Sequence, residues 1–96
     1  MKLIVEEGVY DDLVAIVSWY ESQVEGLGKK FLDEWENELK TIARNPFIFQ
    51  IQYKEFRQSK IKGFPYHIIF EIESDLIVVY SVFHAHRNPR KRYRRK

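Results

Sequence analysis

Tyr66-His67-Ile68-Ile69-Phe70-Glu71-Ile72-Glu73-Ser74-Asp75-Leu76-Ile77-Val78-Val79-Tyr80-Ser81-Val82-Phe83 is the stretch on which the fold of this chain turns. Tyr66, Ile68, Phe70 and Ile72 alternate with His67, Ile69, Glu71 and Glu73, the period of two expected of a strand. Leu76 to Phe83 is apolar at almost every position, so both of its faces meet apolar neighbours, as in a central strand. Only Ser74 and Asp75 separate the two runs, and a two-residue connection makes them a β-hairpin. Lys62-Gly63-Phe64-Pro65 reads as the turn that feeds the hairpin. A further strand is expected near Phe56 to Ile61, after a loop over residues 47–55.

Upstream, Leu3-Ile4-Val5 is short and β-branched and reads as an opening strand. From Val9 the period changes. Tyr10, Leu13, Val14, Val17, Tyr20 and Val24 recur every three or four residues, the stripe of an amphipathic helix, with Asp11 and Asp12 expected in its first turn beside the positive end of the helix dipole. Gly26-Leu27-Gly28 interrupts the pattern. A second helix carries the stripe Phe31, Leu32, Trp35, Leu39, Ile42 and Ala43 and stops at Asn45-Pro46, because the residue before a proline avoids the α region. Trp19 and Trp35 fall on or beside these stripes and read as core. The order β-α-α-β-β-β, helices first and strands after, predicts an α+β fold with a helical hairpin packed on a mostly antiparallel sheet. At 96 residues the chain has room for one domain, 1–96.

Charge is divided unevenly. Residues 1–83 hold nine basic and fourteen acidic side chains, whereas residues 84–96 hold seven Lys and Arg and no acid. The net +2 hides a basic C-terminal tail on an acidic body, a division that points to a polyanion or an acidic partner. No cysteine is present, which removes disulfides, thiolate nucleophiles and cysteine metal sites. Three apolar residues before Glu6-Glu7 make neither a signal peptide nor a membrane span, so the expectation is a soluble cytoplasmic protein with no membrane partner.

The Asp11-Asp12-Leu13 to Trp19-Tyr20 helix, Gly28 to Phe31, Asn45-Pro46, Arg57, Phe64-Pro65-Tyr66 with its hairpin, and Val82-Phe83-His84 to Arg87-Asn88-Pro89 together resemble the ParE/RelE superfamily of toxins from bacterial toxin-antitoxin operons. Order and spacing carry the resemblance, along with the length and the basic C-terminus. It implies a toxin of a type II toxin-antitoxin system, neutralised by a cognate antitoxin. It also implies one of two unrelated actions: ParE-like members bind DNA gyrase and trap it on DNA, and RelE-like members cut mRNA at the ribosome. Phe64-Pro65 looks more like the ParE-like branch. His67 stands where RelE-like nucleases typically place an arginine, a contact that histidine does not reproduce, since it is neither always charged nor bidentate.

RNA cleavage without metal requires a base, an acid and cations around the reacting phosphate. On the nuclease reading the catalytic candidates are His67, His84 and Arg87. The candidates for binding target or nucleic acid are Arg57, Lys60, Lys62, His86, Arg87, Arg90, Arg92 and Tyr93, the last three in a tail whose charge density suits phosphate contacts. His84 and His86 have an i, i+2 spacing that a metal can use, but no acid or cysteine lies between residues 76 and 96, so no metal and no cofactor is expected. The third reading is a small nucleic-acid-binding module without toxicity, for which the tail alone suffices.

Overall fold

The computed structural model describes residues 1–87, in the order β1 (Lys2–Val5), α1 (Glu7–Gln23), α2 (Leu27–Arg44), a 3₁₀ turn (Pro46–Ile48), β2 (Ile51–Tyr53), β3 (Phe56–Lys60), β4 (Tyr66–Glu73) and β5 (Leu76–His84). The sheet runs β1-β5-β4-β3-β2. β1 lies parallel to β5 and every other pair is antiparallel. The α+β expectation therefore holds with one strand more than the sequence suggested, β2, which lies inside the stretch expected to be loop.

The hairpin forms in the expected register, Glu73 opposite Leu76 and Tyr66 opposite His84, with a bulge after Ile69. The bulge lets β5 slip by one residue. Ile69 lies opposite Ser81 and Phe70 opposite Val79, so Tyr80 is the extra residue. Apolar side chains fill both faces of the sheet. Ile68, Phe70, Ile77, Val79 and Val82 meet the helices. Phe56, Ile69, Val78, Tyr80 and Phe83 form a second cluster, on the face away from the helices.

α1 starts at Glu7, two residues before the expected start, so Asp11 and Asp12 fall in its second turn and Glu7 is the acid in the first. Its buried side chains are Val9, Leu13, Ile16 and Tyr20. This corrects the sequence reading: Tyr10, Val14 and Val24 are exposed, and Val9 and Ile16 take the core positions. α1 has more apolar residues than one face can bury, and contact with the sheet decides which stripe turns inward. In α2, Phe31, Trp35 and Ile42 are buried as read, Leu39 and Ala43 are half-buried, and Leu32 lies at the rim.

The helical hairpin is closed by two local devices. Glu21 accepts hydrogen bonds from the amides of Gly26 and Gly28, both at 2.9 Å, so one carboxylate caps two of the free N–H groups that open α2. At Gly28 a β-carbon would stand 2.8 Å from the Val17 carbonyl oxygen, so this crossing needs a residue without one. Further along, buried Ser59 donates to Glu38 at 2.9 Å, which ties β3 to α2.

Candidate functional site

The Phe64-Pro65-Tyr66 motif is an anchor. Phe64 meets Tyr20 and Phe31 edge-on, each at 5.0 Å between ring centres, and Tyr66 meets Phe31 at 5.5 Å. Edge-to-face pairs of this kind add to the area they bury. Backbone bonds hold the motif from both sides: the Ile61 amide donates to the Tyr66 carbonyl and the Ala85 amide to the Pro65 carbonyl. Tyr66 is thereby fixed beside the end of β5, directly opposite His84.

A groove of about 240 Å³ opens at this point between α1 and the β4–β5 pair. Asp12, Ala15, Ile16 and Trp19, spaced along one face of α1, form one wall. Tyr66, Val82, Phe83 and His84 form the other, and Arg87 lies at the lip. The Arg87 guanidinium sits over the Trp19 ring, 5.9 Å from its centre, within cation–π range. Trp19 is 50% exposed, which corrects its assignment to the core; Trp35, at 3%, is core as read.

His84 is the polar centre of the groove. Its ring meets Tyr66 edge-on at 5.2 Å and lies 6.0 Å from His86. Its Nδ1 accepts a hydrogen bond from the His86 amide at 3.1 Å, so the neutral ring carries its proton on Nε2. Burial, followed by the charge of Arg87 and then by His86, pushes the imidazole below the usual histidine range. Burial also raises the phenols of Tyr20 and Tyr66, and Arg87 draws both partly back.

The predicted site residues do not gather in one place. His84 and Arg87 line the groove, and His86 lies beside His84. His67 is one position along β4 from Tyr66 and so on the opposite face, where its ring meets Phe83 and the Gln58 amide donates to its Nδ1. Lys60 pairs with His67 in register, and exposed Lys62 lies in the turn that follows β3. Arg57 is committed elsewhere, donating to the Phe49 carbonyl at 2.6 Å and lying over the Phe47 ring. Arg90, Arg92 and Tyr93 lie outside the described residues. Among those residues, no group of three or more His, Cys, Asp or Glu is placed to hold a metal ion, and no helix is long and apolar enough to cross a membrane.

Sequence reasoning missed the α1 wall. Trp19 is separated from Arg87 by 68 positions, and the one sequence signal was its place beside the apolar stripe instead of within it.

Comparison with known proteins adds a family. The model for the ParE toxin of the type II toxin-antitoxin system, parDE, matches residues 3–89. No curated protein matches the chain. Seven chains of solved structures do. One, described as the chromosomal ParDE TA system from P. aeruginosa, superposes with a TM-score of 0.75 at 16% identity, over 88% of this chain and 95% of that one. At that identity the likeness is one of fold.

Proposed function

The chain belongs to the ParE toxin family of type II toxin-antitoxin systems, and from that premise we propose that it arrests growth by binding DNA gyrase and that a cognate antitoxin holds it inactive. The observation that carries binding over RNA cleavage is the separation of His67 from His84 and Arg87 by the thickness of the sheet. General acid–base cleavage needs its proton-transfer groups within hydrogen-bond reach of one phosphate. His84 and His67 each use Nδ1 as an acceptor already, and the lowered pKa of His84 disfavours the protonated form that an acid requires. A groove walled by an exposed indole and a guanidinium suits recognition better than proton transfer.

On this reading residues 1–96 act as one toxin domain in the cytoplasm, and the basic tail from residue 84 adds electrostatic attraction to the gyrase–DNA complex. Removing Arg90 to Lys96 deletes six tail charges and flattens the salt dependence of that binding by about five units of slope if each meets a phosphate.

The test is induction of the protein alone, followed from one culture by mRNA integrity, plasmid supercoiling and chromosome breaks. Lost supercoiling and broken DNA with intact mRNA is the expected result. Cleaved mRNA with intact DNA moves the assignment to the ribosome-dependent endonuclease. Undisturbed growth at high soluble expression leaves the non-toxic nucleic-acid-binding module. Rescue by the product of an adjacent gene tests the antitoxin.

A further inference from the structure

At its Arg87 end the groove is lined by side-chain donors: Tyr66, His84 and Arg87. On its sheet wall Tyr66 is half-buried, and among the described residues its hydroxyl has no hydrogen-bond partner. A partly buried hydroxyl without a partner gains from an acceptor that arrives beside it. His84 presents Nε2–H as a further donor, because its Nδ1 is taken by the His86 amide. Arg87 completes the set: among the described residues its guanidinium makes no ion pair, and it is steadied over Trp19.

We infer that this groove recognises a single carboxylate borne on an apolar stretch of polypeptide, with Arg87 as its charge partner and Tyr66 and His84 as neutral donors. Ile16 and Val82 supply apolar walls for the residues on either side of the acid. The inference rests on the antitoxin reading for the identity of the partner, and deepens it by naming the contact: an Asp or Glu side chain of the antitoxin set against Trp19 and Arg87.

A nucleic-acid phosphate fits less well. Affinity for a polyphosphate grows with the number of cations that meet it, and among the described residues the groove is lined by one guanidinium, in a body of ten basic and fourteen acidic side chains over residues 1–87. Asp12 on the same wall does not oppose a single carboxylate strongly. It lies seven residues before Trp19, about 10 Å along the helix and so about one Debye length from the Arg87 end at ordinary salt.

The full-length protein itself provides the readout, since Trp19 is at the binding wall and Trp35 is buried. Its fluorescence is titrated with a nine-residue peptide of alanine and leucine bearing one central glutamate, and with the glutamine twin. The glutamate peptide is expected to bind about tenfold more tightly, the effect of one charge-assisted contact. Arg87→Gln should abolish that preference, Tyr66→Phe should reduce it about threefold, and Lys40→Gln, at an exposed position of α2, should leave it intact. Equal binding of the twins, or a preference that survives Arg87→Gln, overturns the inference, and so does displacement of the glutamate peptide by an equimolar oligothymidine. Growth is not part of this readout. Peptide discrimination without antitoxin rescue removes the antitoxin as partner and keeps the carboxylate site, whereas rescue without discrimination removes the site and keeps the antitoxin.

Discussion

The two helices of the hairpin are built from similar residues and do different work. α2 confines its large apolar side chains to one side, with Phe31, Trp35 and Ile42 buried and acids over much of the rest. α1 buries Val9, Leu13, Ile16 and Tyr20 and leaves Tyr10, Val14 and Trp19 at least half exposed. One helix is spent on the core. The other serves the core with one stripe and presents apolar and aromatic surface with the others, and its Trp19 side lines the groove. Apolar residues beyond what a helix can bury are therefore informative, because large exposed apolar surface on a small protein usually marks an interaction site.

The sharpest way to break this comparison is to truncate one aromatic from each helix. Phe31→Ala removes a fully buried ring from the centre of the Tyr20–Phe64–Tyr66 cluster and should cost about 3–5 kcal/mol in urea unfolding. The next effect belongs to the joint between the helices. Gly28→Ala forces a methyl against the Val17 carbonyl and should cost about 1–3 kcal/mol, with the helices pushed apart. A neutral Gly28→Ala would mean that the crossing is looser than the structure has it.

Trp19→Ala should change unfolding stability by less than about 1 kcal/mol, despite removing the largest side chain in the groove, while abolishing toxicity in the induction assay. Destabilisation on the scale of Phe31→Ala would return Trp19 to the core and erase the distinction between the helices. Retained toxicity would place the working surface elsewhere.

The hairpin could be read from sequence because it is specified locally: an alternating run and a continuous apolar run joined by a two-residue turn leave little choice of pairing. The bulge at Tyr80 could not, since both phases of β5 are apolar and alternation gives no sign of the slip. β2 escaped notice for a different reason. Three residues paired irregularly with β3 make too short a pattern to stand out from the aromatic run around them. On α1, Tyr10-Val14-Val17 and Val9-Leu13-Ile16-Tyr20 are two neighbouring stripes of equal apolar quality, and only the sheet chooses between them. The candidate site was half legible. His84, His86 and Arg87 are neighbours in sequence and in space, but the separation of His67 becomes visible only once the strand pairing puts it back to back with the groove.

The smallest expected effect, and the most direct measure of whether Arg87 belongs to the groove, is the titration of His84. The unfolded chain gains a proton on this residue near pH 6.5, while burial and the charges of Arg87 and His86 delay protonation in the folded protein to lower pH. In that interval the unfolded state binds more protons, so acidification favours unfolding. The stabilising contribution is whole above pH 6.5 and is lost as the pH falls through the folded pKa of His84. His84→Gln should therefore reduce the drop in urea midpoint between pH 7.5 and pH 5.5, with the difference between parent and variant isolating this one group. Arg87→Gln should move the NMR titration of His84 back toward the ordinary histidine range, since a like charge is removed while most of the burial stays. A His84 titration unmoved by Arg87→Gln would mean that the guanidinium does not reach the imidazole. Arg87 and Trp19 would then be a surface pair apart from His84 and Tyr66, and α1 would lose the functional face that distinguishes it from α2.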